Sequence, residues 1–229
     1  MKTIGLIGGM SWESTQTYYR LINQGVKARL GGLHSARLVL YSVDFAEIEA
    51  LQRHGDWAAT AQILGEAARS LAAAGADFLV LCTNTMHKVA PQLEQDVEIP
   101  LLHIADATAK ALHRQGVTQV GLLGTRFSME QAFYRERLEA QGIRVLIPDT
   151  DQRERVHAVI YNELCCGEIR ADSRAAYLKI VDSLAEQGAQ GVILGCTEIG
   201  LLIEAEDTDV PLFDTTAIHA EQAVEAALG

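Results

Sequence analysis

Hydrophobic and polar positions along the chain follow two alternating patterns. Short aliphatic and β-branched runs, typical of buried strands, are separated by longer segments in which apolar residues recur at helical spacing. The runs predict eight strands, at residues 3–8, 38–43, 78–82, 101–104, 119–124, 144–147, 192–195 and 211–213. Clear helices are predicted at 57–74 and 173–187, and each is followed by a glycine that suits a helix end. This alternation predicts an α/β fold with parallel sheets.

Three internal sequence matches occur in the same order in the two halves of the chain. Residues 4–8 resemble 120–124 at an offset of 116, residues 71–83 resemble 184–196 at an offset of 113, and residues 99–102 resemble 210–213 at an offset of 111. Their order and nearly constant spacing predict two similar lobes, at about 1–115 and 116–229, related by a pseudo-two-fold axis.

The residues that follow the predicted strands are small or carry hydroxyl and thiol groups. They read Gly8-Gly9-Met10-Ser11, Cys82-Thr83-Asn84-Thr85, Gly124-Thr125 and Gly195-Cys196-Thr197-Glu198. Ligands of open α/β sheets bind beyond the carboxyl ends of the strands, so we expect the active site at these loops. The second repeat pair aligns Thr83 with Cys196, and a pseudo-dyad would set these two side chains against each other across a cleft between the lobes.

Composition and charge limit the classes of partner. The 229 residues include 48% hydrophobic and 21% charged residues, enough to form a packed core. The net charge of −11, with no basic run, argues against binding to nucleic acid or to anionic membranes. No apolar run approaches the roughly 18 residues of a membrane-spanning helix, and no signal-peptide pattern is present. We therefore expect a cytoplasmic protein that binds a small molecule.

Common cofactor motifs are missing from the sequence. The glycine loop at residues 5–10 matches neither the dinucleotide-binding nor the P-loop pattern, and it fits a tight turn as well as it fits a carboxylate-binding loop. None of the five lysines follows a predicted strand, which disfavours pyridoxal chemistry, and the histidines lack metal-ligand spacing. His87 is expected in a first helical turn, in a packing or hydrogen-bonding role. We expect no cofactor and no metal.

The four cysteines lack C-x-x-C spacing, so they are interpreted as reduced thiols. Strand alternation turns Cys82 away from the face of Thr83 and into the core. One member of the pair Cys165 and Cys166 is expected to be buried, with neither catalytic. Most lone cysteines are core residues, but Cys196 follows a strand and precedes a helix, whose dipole would lower its thiol pKa.

Three motifs resemble the aspartate/glutamate racemases, a family of cofactor-independent amino-acid racemases, and the resemblance extends over essentially the full chain. They are IGLIGGM at 4–10, TNTMH at 83–87, where the family typically shows C-N-T-x-H, and GCTE at 195–198. The likeness is particularly close to the bacterial subgroup specific for L-aspartate and L-glutamate, which has threonine in place of the first catalytic cysteine. It implies Rossmann-like lobes at 1–100 and 101–213, a helix at about 214–229 that packs back on the first lobe, and a homodimer.

The resemblance also implies catalytic roles. Racemisation needs acid/base groups on both faces of a planar carbanion, and these correspond to Thr83 and Cys196. Because a threonine hydroxyl is a far weaker acid than a thiol, Cys196 is expected to be the base for the L-enantiomer. Thr83, a water that it holds, or Cys82 would serve the other face. The expected substrate-binding residues are Met10, Gln52, Asn84, Thr85, Thr125 and Thr197, with Gln52 proposed for the side-chain carboxylate because 44–52 lacks the arginine of some family members.

Two alternative functions stay open at this point. A lone-cysteine decarboxylase related to the arylmalonate decarboxylases needs a thiol on one face only. A catalytically silent amino-acid-binding protein would explain Thr83 as the loss of the first base.

Overall fold

The computed structural model describes residues 1–229 as alternating strands and helices. The strands are β1 (Ile4–Gly8), β2 (Leu38–Ser42), β3 (Phe78–Leu81), β4 (Leu101–Leu102), β5 (Gln119–Gly124), β6 (Arg144–Leu146), β7 (Val192–Gly195) and β8 (Leu212–Asp214). All eight predicted strands are present, and their bounds lie within two residues of the predicted ones. The largest difference is at β4, which stops at Leu102 because a helix already begins at Ile104.

Eleven α-helices connect and flank these strands. They are α1 (Trp12–Leu30), α2 (Phe45–His54), α3 (Trp57–Ala73), α4 (Ala90–Asp96), α5 (Ile104–Arg114), α6 (Arg126–Glu130), α7 (Ala132–Glu139), α8 (Thr150–Asn162), α9 (Ala171–Glu186), α10 (Ile199–Leu202) and α11 (Thr215–Leu228). Short 3-10 helices occur at Thr85–Val89, Leu164–Cys166 and Ala205–Asp207. None of the helices combines the length and the apolar character needed to cross a bilayer.

The strands form two four-stranded sheets with the same topology. Their orders are β2-β1-β3-β4 and β6-β5-β7-β8, and every neighbouring pair is parallel. The predicted α/β fold with two parallel sheets is therefore confirmed. Because parallel strands need long crossover connections, the helices between them follow from this topology.

The chain divides into two compact units. Unit 1 consists of Met1–Ile104 and His219–Gly229, and unit 2 consists of Ala105–Ile218. In unit 1 the C-terminal part of α11 is held beside the start of the chain, because the Lys2 N–H donates to the Ala227 carbonyl at 2.8 Å. An ion pair at 3.4 Å joins Arg29 to Glu221. The pseudo-two-fold axis and the lobe limits expected from the sequence stay predictions.

Alternate residues of the central strands in unit 1 pack into different hydrophobic clusters. Phe78 and Val80 belong to a cluster with Tyr18 of α1 and with apolar residues of α11. Leu79 and Leu81 belong to a second cluster with residues of α3. This period of two, with every residue of β3 buried, is the pattern of a parallel strand covered on both faces.

The strand registers of the two units correspond at the offsets found in the sequence. Gly5 pairs with Leu79 in unit 1, and Gly121 pairs with Val192 in unit 2, which reproduces the offsets of 116 and 113. Leu79 also pairs with Leu101, as Val192 does with Leu212 at an offset of 111. The sequence repeat is therefore a repeat of backbone pairing, and Thr83 and Cys196 follow β3 and β7 at equivalent positions.

Candidate active site

The loop after β1 in unit 1 is a tight turn built on glycine. Gly9 has a φ of +93°, and a Cβ there would stand 2.2 Å from the carbonyl oxygen of Val43. Only glycine fits this position without displacing the backbone. The Gly9 N–H donates to Thr15 Oγ1 at 2.8 Å, so this amide is used within the turn. Of the two interpretations of the glycine loop, the structure favours the tight turn at this amide. Met10 follows and is buried.

The loop after β3 is held by backbone and histidine contacts. The Thr83 carbonyl lies 2.7 Å from Nδ1 of His87, and the N–H of Ile104 donates to Nε2 of the same ring at 3.2 Å. A ring nitrogen that accepts a hydrogen bond carries no proton, so His87 is neutral with its proton on Nδ1, donated to Thr83. His87 lies in the 3-10 helix Thr85–Val89 and has the hydrogen-bonding role expected of it.

Three more predicted residues of unit 1 lie in or against this loop. Asn84 and Thr85 are buried, while Thr83 keeps partial exposure. Gln52 is buried near the end of α2, and its Nε2 lies 3.6 Å from the sulfur of Met86. Because β1 and β3 are paired neighbours, their following loops share one edge of the sheet. The loop after β3 thus carries two hydroxyls and an amide, and Gln52 of α2 adds a second amide beside Met86.

The equivalent edge of unit 2 lies at the ends of β5 and β7. Gly124 pairs with Gly195, and a Cβ on Gly195 would approach the Leu123 carbonyl oxygen to 2.9 Å, so the close strands favour glycine. Thr125 is buried and caps α6, its Oγ1 accepting from the Ser128 N–H at 3.3 Å. Thr197 is partly buried in the loop after β7. The predicted residues Thr125, Cys196 and Thr197 therefore gather at one edge of unit 2.

Cys196 donates a hydrogen bond from Sγ to Oε2 of Glu198 at 3.0 Å. Burial raises the pKa of this thiol well above its ordinary value, and the charge and hydrogen bond of Glu198 raise it further. The expectation of a lowered pKa is therefore wrong. The helix that follows, α10, has only four residues and begins three residues after Cys196, so burial and the adjacent carboxylate outweigh a dipole effect.

Glu198 was not among the site residues expected from the sequence. It is 7% exposed, and its Oε2 accepts the hydrogen bond of the Cys196 thiol. A signal for it was present, because a carboxylate two residues after a strand-end thiol stands within reach when the chain bends there. The bend after β7 supplies that geometry, and strand alternation alone does not predict it.

The remaining thiols differ in burial. Cys82 is fully buried in the cluster that contains Val80, and burial raises its thiol pKa, so its predicted core position is confirmed. Cys165 is partly buried and Cys166 is exposed. The expectation that one of this pair is buried is wrong, because the 3-10 helix Leu164–Cys166 turns Leu164 into the core instead. No group of three or more His, Cys, Asp or Glu side chains is placed to hold a metal ion.

Comparisons with known proteins give consistent matches. The profile of the family described as Asp/Glu/Hydantoin racemase matches residues 7–223. A candidate Asp/Glu racemase from Yersinia pestis has a crystal structure that is similar with a TM-score of 0.95 and 60% identity, covering 100% of both chains. The crystal structure of an aspartate racemase homologue from Pyrococcus horikoshii is similar with a TM-score of 0.88 and 33% identity, again over 100% of both chains.

A curated relative is more distant. The broad specificity amino-acid racemase RacX of Bacillus subtilis is 26% identical over 156 residues, which are 67% of this chain and 66% of that protein. The matched part thus falls just short of two thirds of the length of RacX.

Proposed function

Because the chain belongs to the Asp/Glu/hydantoin racemase family, we propose that it racemises L-glutamate and L-aspartate without a cofactor. The observation that supports this most is the equivalence of Thr83 and Cys196 at the ends of β3 and β7 in units of the same topology. Racemisation removes a proton from one face of Cα and returns a proton to the other. A duplicated fold with one acid/base position per unit suits that requirement.

In the proposed reaction Cys196 acts on the L-enantiomer. Its thiolate takes the Cα proton, so the C–H bond breaks, an S–H bond forms and the electron pair stays on the substrate as a planar carbanion. A proton is then returned from the opposite face by Thr83 or by a water that it holds. The thiol is the position at which an anionic base forms more readily, because a thiol is far more acidic than an alcohol, even with the pKa of Cys196 raised. Cys82 is a less suitable second group, since it is fully buried.

The second part of the proposal concerns the hydrogen-bond donors that bind the substrate and stabilise its deprotonated form. Deprotonation puts two negative charges on the substrate carboxylate, and preorganised donors stabilise that dianion. The polar side chains proposed for this are Asn84, Thr85, Thr125 and Thr197, with Met10 against the substrate. Gln52 is proposed to donate its amide N–H groups to the side-chain carboxylate. Loss of one such donor typically lowers kcat by about 10²- to 10³-fold.

The choice of acidic substrates rests on the relatives and on the resemblance of the motifs. One relative is named a broad specificity racemase, so a panel of amino acids belongs in the first assay. A homodimer and a cytoplasmic location form part of the same proposal, and sedimentation of the purified chain tests the former.

Exchange of the Cα proton in heavy water tests the proposed chemistry. With L-glutamate or L-aspartate we expect deuterium at Cα, followed by the D-enantiomer, and we expect both to disappear in Cys196→Ala. Cys166→Ala is the matched control, because Cys166 is an exposed thiol of the same unit, and it should keep full exchange. The assay combines NMR of the Cα proton with chiral chromatography.

Three results would contradict the proposal. Exchange that persists undiminished in Cys196→Ala removes the thiol from the reaction. Release of carbon dioxide from a disubstituted malonate, without amino-acid exchange, favours the lone-cysteine decarboxylase. Thermal stabilisation by glutamate or aspartate without any exchange favours the binding protein.

A further inference from the structure

Cys196 and Glu198 form a hydrogen-bonded pair in the loop after β7. The distance from Sγ to Oε2 is 3.0 Å, which is short for a thiol donor, and the Glu198 side chain is buried. A buried carboxylate is normally retained only where it has hydrogen-bond partners. Here one partner is the thiol proposed as the base, so the carboxylate lies where the proton of that thiol can be received.

Burial and the neighbouring charge disfavour ionisation of the thiol by itself. Burial raises the pKa of Cys196, and Glu198 raises it further through its charge and its hydrogen bond. A thiolate formed by loss of the proton to solvent would place two negative charges side by side in a buried loop. An internal transfer avoids this, because the pair keeps a single negative charge.

We propose that Glu198 is a positioning residue that controls the protonation of Cys196 by accepting its thiol proton. This inference rests on the proposed function and deepens it. In the step, the Sγ–H bond breaks and an Oε2–H bond forms, giving a thiolate beside a neutral carboxylic acid, with no change in oxidation state. The thiolate then takes the Cα proton as described above.

Other titratable groups stand close enough to affect the same thiol. Cys165, in the 3-10 helix before α9, contributes to the raised pKa of Cys196. Tyr177 of α9 feels the charges of Cys196 and Glu163, but burial is the main cause of its own raised pKa, and its hydroxyl donates to the Val156 carbonyl at 2.8 Å. Glu198 accepts a hydrogen bond from Sγ and is a carboxylate, so it is the residue to vary.

Alkylation of Cys196 by iodoacetamide as a function of pH tests the coupling directly. In Glu198→Gln the neighbouring charge is gone, so we expect the pH midpoint for alkylation to fall by about one pH unit and the rate at pH 8 to rise about tenfold. Peptide mass spectrometry separates Cys196 from the other three cysteines. Glu163→Gln is the matched control, because Glu163 is a partly buried carboxylate of the same unit that accepts from Ser173 Oγ at 2.6 Å. In this variant the pH midpoint for alkylation of Cys196 should not move.

Cα exchange in heavy water is the second measurement, and there we expect a decrease where alkylation shows an increase. In the substrate complex, where the substrate displaces solvent from the thiol, the amide of Glu198→Gln cannot take the thiol proton, so Cα exchange should fall about 10²-fold in kcat with little change in KM, although the free protein forms its thiolate more readily. Glu198→Asp keeps a carboxylate on a shorter side chain and should recover part of the activity. A residue that only stabilises the fold would not raise thiol reactivity while lowering exchange.

The two measurements separate this inference from the proposed function. An alkylation profile unchanged in both Glu198 variants overturns the inference, whatever the activity. Exchange by Glu198→Gln at the native rate overturns it as well. Absence of exchange in the native protein overturns the proposed function, and the alkylation shift then decides alone whether Glu198 controls the thiol. Circular dichroism and the melting temperature show whether Glu198→Gln folds. If it does not, alkylation and exchange are compared between Glu198→Asp and the native protein instead.

Discussion

A hydroxyl stands at position 83, where the equivalent residue of the other unit is a thiol. The two groups differ in acidity by many orders of magnitude, so they are unequal partners in any proton transfer. The Thr83 backbone is fixed through its carbonyl by His87, and the side chain keeps partial exposure. This asymmetry predicts unequal reactivity toward the two enantiomers, expressed in rates and not in the equilibrium between them.

Replacing Thr83 by cysteine should make the two sides more alike. In Thr83→Cys we expect Cα exchange of the D-enantiomer to rise at least about tenfold, because a thiolate is a better base than an alcohol, while exchange of the L-enantiomer changes little. Initial rates with each enantiomer in heavy water measure this.

Thr83→Ser retains the hydroxyl and is the control for small changes in packing. If Thr83→Cys and the native chain exchange the D-form equally, position 83 does not face the substrate in the proposed way.

Residue-level prediction succeeded where it used strand ends and the repeat. The alignment of Thr83 with Cys196 follows from sequence offsets, and the strand registers reproduce it. The thiol pKa was not predictable, because it depends on how deeply Cys196 is buried and on where Glu198 points after the bend. Both are properties of packing, which periodicity does not contain.

At the scale of elements, the two central strands begin with the same contact. The Thr3 N–H donates to Oδ2 of Asp77 at 2.6 Å, and the Gln119 N–H donates to Oε1 of Gln190 at 3.0 Å. These residues are related by the same offsets of 116 and 113. In each unit, therefore, a side chain just before β3 or β7 accepts a hydrogen bond from a backbone N–H at the start of the paired strand, β1 or β5.

Removing this contact should weaken each unit modestly. Asp77→Ala is expected to lower the free energy of unfolding by about 1 kcal/mol, the usual net value of an exposed hydrogen bond. Gln190→Ala should cost at least as much, because its Oε1 also accepts from the Thr118 N–H at 2.8 Å. Urea unfolding measures both.

The near-isosteric changes Asp77→Asn and Gln190→Glu keep an acceptor oxygen and should stay close to native stability. Loss of stability in these variants equal to that in the alanine variants would mean that the contact is not the cause.

The strands themselves were predictable because they are short, continuous apolar runs between turn residues. The pattern is clearest in β1, β3 and β7, which are buried on both faces and contain no polar residue. The ends of helices were less predictable. The helix predicted at 173–187 begins earlier, at Ala171. No side chain caps this end, so the usual sequence signal for a helix start is missing, and Asp172 lies inside the first turn.

At the scale of the whole molecule, His219 ties the last segment of the chain to unit 1. It is fully buried, with Nδ1 2.9 Å from the Tyr18 hydroxyl and Nε2 2.8 Å from the Leu102 carbonyl. A carbonyl can only accept, so the ring proton is on Nε2 and the Tyr18 hydroxyl donates to Nδ1. Burial lowers the pKa of His219 to about 4. The native state therefore holds this histidine neutral.

Stability should fall as the pH is lowered from about 6.5 to about 4. In that window the unfolded chain binds a proton at His219 and the folded chain does not, so unfolding is favoured by at most about 3 kcal/mol. Urea unfolding at pH 7 and pH 4.5 of the native chain and His219→Gln measures the effect. The native chain should lose more stability on acidification than the variant, and equal losses would show that other groups cause the acid sensitivity.

Unit 1 is assembled from two stretches separated by the whole of unit 2. On the ribosome, unit 2 therefore emerges complete while unit 1 still lacks the segment from His219 onward. Until then the side chains of Tyr18, Ile22 and Val26, which share a cluster with Ala223 and Val224, have no cover on that side. The nascent chain thus exposes an apolar stripe on α1 until the segment from His219 onward has emerged, and unit 1 can be buried fully only after that point.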